Sequence, residues 1–285
     1  MYNNPPRFAG IRRDTKFSPN HTGNDAAIFD FTVQCLRDSG ITVNEYTEGD
    51  CADGIEEAFI LTMAREPRTV RLLQEKEDKG AVVVNSGYGI ENCYRNNMVR
   101  LLQHPDVPVP ATITIASRNF SPDCFDALGG QSFWIKRGDF HAIHKEDVSF
   151  ARNADEGREL VGEYASRGID TVVICKHLEG DLVKFYGVSG SDFFYWFYPS
   201  ETSHSKFGLE ALNGKVRNMP FQPDRLKSIA ARAAGLLNIA VYGGDAIITP
   251  DGNISVIDMN DWPSFAPCRE QAAPVIAGVI LKRLG

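Results

Sequence analysis

No Cys-x-x-Cys pair occurs among the six cysteines, Cys35, Cys51, Cys93, Cys124, Cys175 and Cys268, so neither a zinc ribbon nor a thioredoxin-type redox centre is written into the chain. These thiols read as reduced, small apolar side chains. Positive charge is scarce: 30 Lys and Arg stand against 37 Asp and Glu, a formal charge of −7. That balance disfavours a protein that coats nucleic acid or an anionic membrane, while leaving room for a local basic pocket. Long apolar runs are missing as well. Ala272 to Leu281 falls short of the ~18 residues that a membrane span needs, and Met1 to Arg13 lacks the apolar region of a secretion signal. A cytoplasmic location is expected, with a small-molecule substrate as partner and neither nucleic acid nor membrane. His-Glu-x-x-His, Walker A and Gly-x-Ser-x-Gly strings are absent too, which removes the usual markers of three common chemistries.

What is present is an ordinary globular balance, 285 residues with 43% hydrophobic side chains, enough for about two domains without disulfide staples. The first third alternates strand and helix patterns. Phe8 to Ile11, Ile41 to Tyr46 and Ala81 to Val84 read as strands, and Asn24 to Asp38 and Glu91 to Leu102 as helices. Such βαβ alternation implies a parallel sheet, whose strand-to-helix loops, Arg12 to Asn24 and Asn85 to Asn92, become candidate ligand sites. Three prolines between His104 and Pro110 mark a boundary. Beyond it, strands are expected at Ala111 to Ile115, Ser132 to Lys136, Thr171 to Lys176, Leu182 to Val188 and Phe193 to Tyr198, with a helix from Asp155 to Arg167. A helix from Pro223 to Asn238 precedes a hairpin, Val241 to Ile248 and Ile254 to Met259, closed by Thr249-Pro250-Asp251-Gly252-Asn253. A last apolar stripe, Ala272, Val275, Ile276, Val279 and Ile280, predicts a closing helix. The fold class is α/β and α+β.

Chemistry concentrates in that hairpin. Asp258 and Asn260 lie two apart on a strand and so share a face, and Asp245 can sit across the ladder. Two acids and an amide are hard oxygen donors of the kind that suit Mg²⁺ together with phosphate oxygens. Lys136 and Lys184 are embedded in otherwise apolar strands, and an ammonium there must reach solvent or an anion.

The order of these features, a lysine-ending strand (Ile135-Lys136), a strand running from Val172 to Glu179, Lys184, Arg217-Asn218, Asp245 and Asp258-x-Asn260, resembles the ATP-grasp superfamily over nearly the whole chain. The resemblance implies an N-terminal βαβ domain (1–104) followed by a central (105–178) and a C-terminal (179–285) α+β subdomain that clamp ATP. It also implies site residues. Lys136 and Lys184 match positions that contact ATP, and Lys176, His177, Leu178 and Glu179 match the adenine hinge. Asp245, Asp258 and Asn260 match the metal ligands, and Arg217 the basic residue that steadies the transferred phosphate. Two departures stand out: Arg137-Gly138-Asp139-Phe140-His141-Ala142 replaces the usual Gly-rich loop, and Lys176 stands where the hinge usually has an acid. Arg137 and His141 are the side chains there able to meet a phosphate or substrate oxygen.

Within the superfamily, Asp258-Met259-Asn260-Asp261-Trp262-Pro263 and Lys184-Phe185-Tyr186 resemble inositol phosphate kinases of the trisphosphate 5/6-kinase type more than the Glu-x-Asn of most carboxylate-amine ligases. The first expectation is therefore an ATP- and Mg²⁺-dependent kinase of a polyol or polyol phosphate, with Lys184 and Arg217 catalytic. Arg12, Arg13, Lys16, His21 and Arg95 are the candidates for holding an anionic substrate. Ligation of a carboxylate to an amine through an acyl phosphate is the alternative, and a nucleotide-binding module without catalysis a third reading. The aromatic run within Asp192 to Phe207 is expected to be sheet core or the face of a homodimer rather than a lid.

Overall fold

The computed structural model describes residues 7–18, 22–121, 123–142, 144–199 and 215–284. The N-terminal elements are β1 (Arg7–Ile11), α1 (Thr22–Asp38), β2 (Thr42–Tyr46), β3 (Phe59–Thr62), α2 (Pro67–Asp78), β4 (Val82–Val84), α3 (Gly87–Asn92) and α4 (Arg95–Leu102). Their strands pair in parallel in the order β2-β1-β3-β4. The sequence reading anticipated neither β3 nor α2. β3 is four residues long, too short to show a period, and α2 is highly charged, with a narrow apolar face of Val70 and Leu73 after Pro67 at its first turn. The helix expected over Glu91 to Leu102 is split: Ser86 caps α3, and an extended Tyr94 restarts the chain as α4.

The central elements are β5 (Thr112–Ala116), α5 (Cys124–Leu128), β6 (Phe133–Arg137), β7 (Val148–Ala151), α6 (Ala154–Ser166) and β8 (Thr171–Lys176). They form an antiparallel sheet ordered β5-β8-β6-β7. The C-terminal elements are β9 (Asp181–Val188), β10 (Phe194–Phe197), α7 (Pro223–Leu237), β11 (Val241–Ile248), β12 (Ile254–Asp261) and α8 (Arg269–Leu281). Their sheet is antiparallel in the order β10-β9-β11-β12. The aromatic run makes β10, whose Phe194 and Trp196 pack on the α7 side, while Tyr195 and the preceding Phe193 pack on the α8 side. Residues 200–207 lie outside the described part.

Burial joins the first and last units. One core gathers Phe8, Ile28 and Leu36 with Trp262, Phe265 and Ile276, so α1 and α8 close over a common apolar centre. Asn85, 1% exposed, strengthens the seam: its Nδ2 donates to the Val241 carbonyl, and its Oδ1 accepts from the amides of Ala240 and Val241. The central sheet instead packs its own core, with Phe125, Phe133, Val161 and Ile174. Among the described residues, no helix is long and apolar enough to cross a membrane.

Candidate functional site

Lys184 on β9, Asp245 on β11 and Asp258 on β12 are register partners across three adjacent strands, and directly opposed residues project from one face of a sheet. Asn260, two residues beyond Asp258, continues the row. Glycines make the close approach available: a Cβ on Gly244 would lie 2.5 Å from the Asp258 carbonyl oxygen, and one on Gly243 2.7 Å from Pro263. The register shifts between Asp245 and Ala246, which leaves Ile257 as the extra residue of a bulge. Its carbonyl accepts instead from Lys136 Nζ at 3.1 Å. Lys184 Nζ lies 3.2 Å from Asp245 Oδ1, and Arg95 Nη1 lies 3.3 Å from Asp258 Oδ1. Burial pushes the Asp258 carboxyl up, but Arg95, Lys136 and Lys184 outweigh it and hold the group below the usual aspartate value. It is therefore ionised at neutral pH.

This row forms one wall of a cleft between the central and C-terminal sheets. Its lining includes five lysine or arginine side chains, Arg65, Arg95, Lys136, Lys176 and Lys184, against two aspartates, so a chain of net negative charge carries an electropositive cleft suited to a polyanion. One end of the lining is apolar, with Trp134, Leu178, Leu182 and Ile247. There Trp134 Nε1 donates to His177 Nδ1 at 3.1 Å, and burial lowers the His177 pKa, which leaves the imidazole neutral with its proton on Nε2. The hinge amides divide. Those of Lys176 and His177 donate to the carbonyls of Ala111 and Ser132, whereas the Leu178 amide has no backbone partner among the described residues.

A second cavity opens on the other side of the row and shares Lys184, Asp245, Asn260 and Arg65 with the cleft. The N-terminal elements supply its far wall through Arg13, Asn24 and Asp25. Arg13 Nη1 lies 3.0 Å from Asp25 Oδ2, while its other nitrogens donate to the carbonyls of Met63, Asp261 and Trp262. Asp25 also accepts from Ser18 Oγ at 2.6 Å. Burial raises the Asp25 pKa, yet Arg13 and Ser18 together take it below 3.8. Arg65 Nη2 lies 3.2 Å from Asp261 Oδ1, both side chains being buried.

Of the residues singled out from the sequence, Lys136, Lys176, His177, Leu178, Lys184, Asp245, Asp258, Asn260, Arg95 and His141 line the cleft, and Arg13 lines the second cavity. Five others line neither. Arg12 pairs with Asp30 and Glu45, Lys16 with Glu66, and Arg137 with Asp139, each on the outer surface. Arg217 and Glu179 are exposed and line neither cavity; Asp181 draws the segment 217–219 back by accepting the amides of Arg217 and Met219. Surface ion pairs, local for Arg137 and long-range for Arg12 and Lys16, hold these three cations outward, which their spacing did not reveal. His21 lies outside the described residues. Sequence reasoning missed Arg65, Asp25 and Trp134; Arg65 follows the unanticipated strand β3, and a short apolar run before Glu66-Pro67 is the signal that marks such a strand-loop-helix junction. Among the described residues, no group of three or more His, Cys, Asp or Glu is placed to hold a metal ion.

No protein-family model matches the sequence, and no curated protein matches it. Solved structures do match over almost the whole chain. D-alanyl-alanine synthetase A from Vibrio cholerae has a TM-score of 0.70 at 10% identity, covering 98% of each chain. D-alanine–D-alanine ligase from Bacillus anthracis, complexed with ATP, has a TM-score of 0.66 at 13% identity, covering 97% of this chain and 95% of that one. The ATP-grasp ligase PsnB, complexed with a minimal precursor, has a TM-score of 0.64 at 14% identity, covering 98% of this chain and all (100%) of its own.

Proposed function

Starting from the ATP-grasp fold that the chain shares with these ligases, we propose that it is an ATP- and Mg²⁺-dependent ligase that joins a carboxylate to an amine through an acyl phosphate. One observation carries the reading: an electropositive cleft with an apolar end meets a second, mixed-charge cavity along a wall made by Lys184, Asp245 and Asn260. A triphosphate and an acceptor on the two sides of that wall would meet at the acids. The matching structures are a synthetase and two ligases, one of them holding ATP, so the kinase expectation drawn from Asp258-x-Asn260 finds no support there and the alternative does.

In this reading the adenine rests against Trp134 and Leu178 with the Leu178 amide at its edge, and Lys136, Lys176 and Lys184 hold phosphate oxygens. Asp245, Asp258 and Asn260 would hold Mg²⁺; two acids and an amide without a third acid fit an ion that completes its shell with phosphate oxygens and water. When bound, the ion would supply charge neutralisation at the β- and γ-phosphates. A carboxylate oxygen of the first substrate attacks the γ-phosphorus, and the bond to the β–γ bridging oxygen breaks with its electron pair leaving on ADP. The amine nitrogen of the second substrate then attacks the acyl carbon, loses a proton, and releases inorganic phosphate. Lysines already fixed on their strands need little reorganisation as charge moves, which is where most of the acceleration arises.

The test is an assay of ADP and inorganic phosphate with MgATP and panels of amino acids, peptides, polyols and polyol phosphates. The ligase reading expects both products in equal amounts, and only when a carboxylate and an amine are present. ADP without free phosphate, with the phosphoryl group retained on a polyol, would overturn it in favour of a kinase.

A further inference from the structure

Arg65 sits just past the carboxyl end of β3, the end at which parallel sheets present groups to ligands. It is 5% exposed, and with Lys184 it is one of two cations that line both cavities. Lys184 is engaged with Asp245 on the row itself. Arg65 directs Nη2 to Asp261, while its buried Nε has no hydrogen-bond partner among the described residues. A guanidinium has five donors in a fixed planar fork, and this one keeps a donor unfilled in a side chain that lines both cavities. The backbone keeps it there. The buried Glu48 carboxylate accepts the amides of Asp14, Arg65 and Glu66, which fastens the loop after β3 to the loop after β1 that carries Arg13. Arg217, the cation that the motif order suggested for the phosphate in transit, is exposed and lines neither cavity.

We propose that Arg65, reaching across from the N-terminal domain, is the catalytic cation at the point of phosphoryl transfer, bridging the acceptor carboxylate and the γ-phosphoryl group. The inference rests on the ligase reading and adds the residue that completes its site. As the carboxylate oxygen bonds to phosphorus and the bridging oxygen departs with its electron pair on ADP, negative charge spreads over the equatorial oxygens, and the fork of Arg65 is placed to neutralise it without itself exchanging a proton.

The experiment needs no knowledge of the acceptor. MgADP is titrated into the wild-type protein, Arg65→Lys and Arg65→Ala, with and without aluminium fluoride as a mimic of the phosphoryl group in transit. Wild type should bind MgADP and bind it at least roughly tenfold more tightly with aluminium fluoride, the expected mark of a site complementary to the transition state. Both variants should match wild type for MgADP alone within about twofold and lose most of the tightening, and guanidinium ion should restore part of it to Arg65→Ala. Should Arg65→Ala fail to fold, Arg65→Lys, which keeps a cation opposite Asp261, carries the comparison. Tightening that survives in the variants, or a loss of plain MgADP affinity as large as the loss of tightening, overturns the assignment. A wild-type protein that does not bind MgADP fails earlier and sinks the ligase reading, a result distinct from failure of Arg65 alone.

Discussion

Asp258 is a partly buried acid that stays ionised because three cations from three parts of the chain, Arg95, Lys136 and Lys184, converge on it. Replacing it with Asn keeps the shape and removes the charge. Asp258→Asn should lower ATP affinity in the presence of Mg²⁺ by roughly tenfold to a hundredfold, the range seen when a metal shell is disturbed, with a much smaller effect in EDTA. Calorimetry with and without Mg²⁺ checks this, and an affinity indifferent to both changes would refute the metal assignment. Asp25 yields a pH dependence. Its folded pKa lies below 3.8, so the folded state favours the ionised form; that stabilisation is present above the ordinary aspartate value and is lost as pH falls through the depressed one. Thermal melts of wild type should therefore drop on the acid side of pH 3.8, whereas Asp25→Asn should melt lower at pH 7 and show a flatter acid limb.

Among the elements, the seam between the N- and C-terminal sheets depends on a few contacts of exact fit. Asn85 fills both ends of its amide with backbone groups of residues 240 and 241. Asn85→Ala leaves those buried groups unpaired and should destabilise the protein by about 2–4 kcal/mol, read from urea unfolding as a shifted midpoint with unchanged slope. One face of α3 is equally constrained: a Cβ on Gly89 would lie 2.1 Å from the carbonyl oxygen of Asn238. The hairpin of β11 and β12 was legible because Pro-Asp-Gly between two β-rich runs is turn chemistry with a local cause. The strand β3 was not, since three apolar residues and a threonine carry no periodicity of their own and become a strand by pairing with β1 and β4.

Over the whole molecule, two of the three sheets are tied by a common core that includes Phe8, Leu36, Trp262 and Ile276, while the central sheet has an apolar centre to itself. Local opening follows such divisions. Hydrogen exchange should find amides of β6 and β8 opening at lower free energy than those of β1 and β11, and MgATP should raise the protection of the central sheet by mass action. Uniform protection across all three sheets would contradict this.

The order of lysines, acids and hairpin was carried by local chemistry, so the sequence by itself determined the succession of units, the apolar strands, the Asp258-x-Asn260 pair on one face and the resemblance to ATP-grasp proteins. Direction and partnership were decided by tertiary structure alone. Arg12, Lys16, Arg137 and Arg217 are cations like Arg65 and Arg95, yet the first four stay at the surface, three of them paired with surface acids, and the last two turn inward. The physical reason is that a charge is buried only where an oppositely charged group, here Asp261 or Asp258, is brought to it from a distant strand, and that meeting depends on how the sheets pack.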